Sequence, residues 1–157
     1  MRKRCKRKVW NKVNPIAHAI AGAAVVSQSD MNALRVRELA AIEAFATGRA
    51  TRQDWHDVAN MLNISETMAM GKSNGHAVGP EVLPLCERLT QEMIAAANRY
   101  ETTGRMGLTG PGLQMVRELY AYHDLQRSSI SRRQYEDWIA LTIRRIRSGN
   151  AHVYEIL

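Results

Sequence analysis

Apolar residues recur along this chain at intervals of three and four, and the stretches that carry them are bounded by helix-capping residues. Asn14 and Pro15 read as an N-cap and a first helical position, opening a short Ala-rich helix that fades near Ser27. Asp30 is placed to cap a second helix, with Leu34, Ala41, Ile42 and Phe45 on one side and Gly48 as the closing glycine. Thr51 and Asp54 have the spacing of a capping box, with the shorter Asp in the reciprocal position. Trp55, Val58, Ala59 and Leu62 then follow at helical spacing, in a helix that ends near Gly71. The segment 71–80, rich in Gly, Ser and Asn, is the one obvious internal loop. Beyond it a long helix is predicted over 80–103, with Val82, Leu85, Leu89, Met93, Ala96 and Tyr100 as its core stripe. Pro84 falls near its first turn, where proline does least harm, and Gly104 closes it. Thr109-Gly110-Pro111 restarts a helix through Leu113, Val116, Leu119, Tyr120 and His123. Ser131 and Gln134 form a second capping box, for a helix burying Tyr135, Trp138, Ile139, Thr142 and Ile146 before Gly149. The tail from His152 to Leu157 alternates weakly, as an extended or fraying end would.

This pattern predicts an all-α fold: a single-domain bundle of five or six helices over residues 14–157, preceded by a flexible basic arm over residues 1–13. No strand signal repeats, and no internal repeat is present. At this length a chain buries enough surface to hold a core without disulfides or metals. Trp55, Met61, Met68 and Met70 read as core, with a homo-oligomer interface as the alternative use of a Met-rich face.

Charge changes the picture more than composition does. Lys and Arg total 22 against 15 Asp and Glu, a net charge of +7. Seven of those cations, Arg2, Lys3, Arg4, Lys6, Arg7, Lys8 and Lys12, lie in the first twelve residues without an acidic group among them. The body is therefore balanced, and the basic character belongs to the arm. Such a block repels itself, stays solvated and suits polyanions, and Trp10 adds a stacking surface. Phosphate contacts made this way carry no sequence readout. The apolar stretch 16–26 after the arm is too short for a membrane helix, and Pro15 and His18 argue against a signal peptide. No membrane partner is expected. Two cysteines, Cys5 and Cys86, give no disulfide or zinc framework.

Candidate chemistry is sparse. His123 and Asp124 are adjacent, and neighbours on a helix point about 100° apart. His123 and Arg127 share a face, as do Tyr120 and Asp124, but no Ser or Cys completes a nucleophilic set. The group reads as a buried or partner-facing polar patch. Arg105 follows a helix-closing glycine and serves either as a dipole-compensating residue or as part of a partner face. Arg133, Arg144 and Arg147 fall on similar sides of the last helix, as a salt-bridged solvent face or a second cationic surface working with the arm. The five histidines show no metal-ligand spacing, and the Gly-rich loop with Lys72 lacks the order of a phosphate-binding loop. No helix-turn-helix signature appears. These observations predict no catalytic residues, no metal and no cofactor.

Several stretches carry a likeness to known sequences: the opening Met1-Arg-Lys-Arg-Cys-Lys-Arg-Lys8, the segment Gly48-Arg-Ala-Thr-Arg-Gln-Asp-Trp55, Asn60-Met-Leu-Asn63, Thr103-Gly-Arg105, Leu119-Tyr-Ala-Tyr-His-Asp124 and Arg144-Arg-Ile-Arg-Ser-Gly149. Across nearly its whole length the chain resembles a family of small, functionally unassigned phage and prophage proteins of proteobacteria. The resemblance implies a setting, an accessory gene of a mobile element acting in the host cytoplasm, and carries over no site residue. In that setting two expectations compete. The first is a non-enzymatic inhibitor of a host factor, such as a nucleic-acid-handling defence complex. The second is a non-specific nucleic-acid-binding regulator or replication accessory. The partner is accordingly a host protein complex, nucleic acid, or both.

Overall fold

The computed structural model describes residues 28–71 and 76–149. Five α-helices lie in them: α1 (Gln28–Ala46), α2 (Arg52–Met70), α3 (Leu83–Thr103), α4 (Gly110–Ser128) and α5 (Arg132–Arg147). A single 3-10 turn, Pro80–Val82, leads into α3. The described residues form an all-α bundle and contain no strand. The basic arm, the helix expected over 15–27, residues 72–75 and the tail from 150 onward lie outside the described residues.

Helix α2 is the centre of the bundle and packs against each of the other four helices. Its burial explains its sequence. Trp55, Val58, Ala59, Met61, Leu62, Met68 and Ala69 are buried, and so are the polar Asp57, Asn63, Ser65 and Thr67. A helix covered from several sides shows a broad apolar band rather than a narrow stripe. Two of its polar members find partners within one turn. Thr67 donates to the Asn63 carbonyl at 2.7 Å, and Gln53 donates to Asp57 at 2.9 Å. The Trp55 indole N–H donates to the Met93 carbonyl at 3.0 Å, tying α2 to α3. Met61, Met68 and Trp55 are thus core side chains, whereas Met70 is exposed.

The punctuation read from the sequence is present. Both capping boxes form, at Thr51/Asp54 and Ser131/Gln134. Gly71 and Gly104 close α2 and α3 in the left-handed conformation. Thr109 caps α4 by accepting from the Gly112 N–H at 3.0 Å. The carboxylate of Glu92, on α3, also reaches this helix start and accepts from the Thr109 N–H at 2.8 Å. Gly112 is what lets it in, because a Cβ there would lie 2.5 Å from Glu92 Cγ.

Three expectations are corrected. Asp30 lies inside α1 (Gln28–Ala46) and so does not cap it. The helix expected from Pro80 starts as a 3-10 turn and becomes α-helical at Leu83. Leu34 is 38% exposed although it shares a side with the buried Ala41, Ile42 and Phe45. It sits at the rim of a small cavity with Ile64, Tyr135 and Ile139, where the core thins out.

Gly71 carries a measurable consequence. Its φ is +65°, and a Cβ there would lie 2.6 Å from the Ala77 backbone nitrogen. Gly104 has φ +68° and nothing within 4 Å of such an atom. Gly104→Ala should cost the left-handed penalty alone, roughly 1–2 kcal/mol. Gly71→Ala should cost clearly more, because main chain must move as well. Urea unfolding of the two variants side by side checks this; equal losses would refute the close approach.

Candidate functional site

Two features deserve comparison as candidate sites: the polar group around His123 and the outer face of α5. They lie on different sides of the surface boundary, and burial separates their roles.

The His123 group is interior. His123 and Arg127 are both 0% exposed. Arg127 presents its fork to Glu38 on α1, with Nη1 to Oε1 at 2.9 Å and Nη2 to Oε2 at 2.7 Å. Asp124 extends the network at 3.4 Å from Arg127 and accepts from Arg35 Nε at 2.6 Å. Desolvation raises the Glu38 carboxyl above its ordinary range, opposed by the hydrogen bond and charge of Arg127. We take both partners to be charged, since the two-pronged geometry suits a carboxylate facing a guanidinium.

The His123 ring is held between α4 and α5. Its Nδ1 lies 3.4 Å from Gln126 Oε1 and its Nε2 lies 3.2 Å from the Tyr135 hydroxyl. The Gln126 carbonyl oxygen only accepts, so Nδ1 carries the proton and Nε2 accepts from Tyr135. Gln126 is itself fixed: its amide donates to the Val78 carbonyl at 2.7 Å and to the Ser65 carbonyl at 3.2 Å, while Ser65 Oγ donates to its Oε1 at 2.7 Å. Burial, assisted by the Arg127 charge, pushes the His123 pKa down to about 3, and burial pushes the Tyr135 phenol up to about 12. A neutral, fully enclosed imidazole with both nitrogens engaged has no face for a substrate. The group locks α1, α2, α4 and α5 together. Cys86 is similarly enclosed, its thiol raised by burial to about 12 and therefore unreactive in the fold.

The α5 face is exterior. Arg133, Arg144 and Arg147 are exposed, and among the described residues their side chains have no ion-pair partner. Arg132 pairs with Glu136 at 3.0 Å on the surface, and Arg145 turns inward to Glu66 at 3.1 Å. Of five arginines on one helix, two are thus absorbed by carboxylates and three project. Along the axis, Arg133 and Arg144 are about 16 Å apart at ~1.5 Å per residue, with Arg147 one turn further. Arg105 is also exposed, but it sits on the turn between α3 and α4 and not on this face. Asp124 is partly exposed and committed to Arg35. The structure thus separates the expected partner face into an interior pair, His123 and Arg127, and an α5 row of Arg133, Arg144 and Arg147. The arm residues Arg2, Lys3, Arg4, Lys6, Arg7, Lys8, Trp10 and Lys12 lie outside the described residues.

Elsewhere on α5, Gln134, Asp137 and Trp138 line an open cleft of about 300 Å³ together with the strip Ala77-Val78. Trp138 and Ile130 supply its apolar wall, and His76, Gln134 and Asp137 its polar rim. Sequence reasoning missed this cavity, because its walls come from segments more than fifty residues apart. It missed Glu38 for the same reason, its partner Arg127 being 89 residues away. Among the described residues no group of His, Cys, Asp or Glu is arranged to hold a metal ion, and no helix is long and apolar enough to cross a membrane. No known family model, curated protein or solved structure matches the chain.

Proposed function

We propose that this protein is a non-enzymatic phage accessory protein that binds and inhibits a host factor, a nucleic-acid-handling defence complex, through a cationic surface. The observation that carries the reading is the α5 row: Arg133, Arg144 and Arg147 project from one helix face without carboxylate partners. Unpaired arginine forks suit phosphate and carboxylate, and a complex that handles nucleic acid offers such groups in its own grooves. The basic arm supplies seven more cations at the start of the chain. The His123–Asp124 pair, the nearest approach to a catalytic set, is occupied by structural hydrogen bonds. The phage setting rests on the sequence resemblance.

A second reading, a non-specific nucleic-acid-binding accessory, is favoured by the arm's charge density. Affinity capture from bacterial lysate with tagged full-length protein distinguishes the two. The inhibitor reading expects one host complex that survives nuclease treatment and is lost when Arg133, Arg144 and Arg147 are all replaced by Glu. Mixed nucleic acid that disappears with nuclease, or with removal of residues 1–12, would replace it with the second reading.

A further inference from the structure

We infer that the outer face of α1 is a docking surface for residues 16–26 of the same chain, the apolar segment that joins the basic arm to the bundle. The inference concerns a different surface from the α5 row and does not depend on it.

The charges of α1 are inverted for a helix with one side in water. Between Ala33 and Ile42 it carries three, Arg35, Arg37 and Glu38. All three are committed to neighbouring helices. Arg35 pairs with Asp124 at 2.6 Å and Glu38 with Arg127 at 2.7 Å, both on α4, and Arg37 donates to Asp57 on α2 at 2.8 Å. The outer side holds Ala33, Val36, Leu39 and Ala40, all exposed, Val36 by 65% and Leu39 by 47%. Positions three, four and seven apart share a helix face, so these four form one uncharged patch. Ala41, Ile42 and Phe45 fill the buried side. A helix that is apolar on both sides belongs under cover on both. None of the described residues covers the outer one.

The occupant follows from what precedes α1 in the chain. Residues 16–26, Ile-Ala-His-Ala-Ile-Ala-Gly-Ala-Ala-Val-Val, contain no Asp, Glu, Lys or Arg and end two positions before Gln28, the first residue of α1. Ile16, Ile20 and Ala23 recur at four and three, as a stripe meeting Val36 and Leu39 would. As the helix its sequence predicts, the segment is ~16 Å long at ~1.5 Å per residue, and α1 from Gln28 to Ala40 is ~18 Å. A reversal of the chain near Ser27 lays one along the other. A second copy is the weaker occupant. Two large apolar side chains and two alanines fall well short of the ~800 Å² that each partner gives to a stable complex. A tethered segment needs less, because the tether sets an effective concentration of about millimolar order. Docking also roots the basic arm, which then leaves from the α1 side of the bundle.

The test is hydrogen exchange, read by mass spectrometry on the full-length protein. An isolated helix this short is marginal in water, so slow exchange in residues 16–26 requires a surface to dock on. Their amides should exchange about tenfold more slowly than unstructured chain, at low and at high protein concentration alike. Val36→Asp, at an exposed position that the core does not use, should remove that protection and leave the amides of α3 and α4 as slow as before. Ile20→Asp should do the same from the other side of the contact, and Val36→Leu should keep the protection. Leu39→Asp repeats the test at a second exposed position should Val36→Asp disturb the core amides. Exchange of residues 16–26 at the unstructured rate in the unaltered protein would overturn the inference. So would protection that survives both α1 variants. Protection that appears only at high concentration, together with a dimer by light scattering, would assign the face to a second copy and overturn it as well.

Discussion

Arg127→Met should lower the free energy of unfolding by about 3–5 kcal/mol, the range found when one member of a buried ion pair is removed. Arg127 is fully enclosed, and both of its terminal nitrogens are spent on Glu38. Methionine fills much of the volume but leaves the Glu38 carboxylate facing an apolar wall, with Asp124 and Arg35 as its remaining charged neighbours. The loss therefore measures an uncompensated charge more than a missing attraction. The double variant Glu38→Leu with Arg127→Met should recover most of the stability, because an apolar pair of similar volume avoids desolvating either charge. Chemical denaturation of the two variants decides the matter. A double variant as unstable as the single one would mean that the pair's geometry, and not its charge balance, holds α1 to α4.

The second large effect is acid sensitivity. The unfolded chain takes up a proton on His123 near pH 6.5, whereas in the fold burial holds the pKa down to about 3. Between these values the unfolded state binds more protons, so stability falls as pH drops from about 6.5 toward 3 and is level above that window. Each displaced unit corresponds to about 1.4 kcal/mol, so the full window is worth several kcal/mol. Glu38 acts in the opposite sense: its raised carboxyl takes up a proton earlier in the fold than in the unfolded chain, offsetting part of the loss at the acid end. Comparing the protein with His123→Gln isolates the histidine, because Glu38 is common to both. The variant's unfolding midpoint should vary much less between pH 6.5 and pH 5. Parallel profiles would show that His123 titrates freely and is not enclosed.

These expectations show where sequence reading stops. Helix ends were legible because caps are local. Thr51 with Asp54, Ser131 with Gln134, Thr109, and the glycines at 71 and 104 each act on backbone groups within a few residues. The core stripes were legible where a helix has one wet side, as α3 does. Leu34 departed from its stripe because burial depends on what lies opposite, and opposite it the core thins to a cavity rim.

The polar residues were a different matter. His123, Asp124 and Arg127 were recognisable as a group, but a helix pattern places polar residues at a given angle without saying whether another helix covers them. Glu38 and Tyr135 cover them here, and both approach from other elements. On α5 the five arginines look alike in the chain. Arg132 finds Glu136 one turn away, a pairing that local spacing carries; Arg145 finds Glu66 on α2, a pairing that it does not. By itself the sequence determined the five described helices and most of their limits, the all-α class and the separation of basic from neutral sequence, because spacing, capping and charge count act over short range. Only the tertiary structure decided which charges face inward, which three arginines of α5 project without an ion pair, and that a cavity opens against α5, because each depends on residues that meet across dozens of positions.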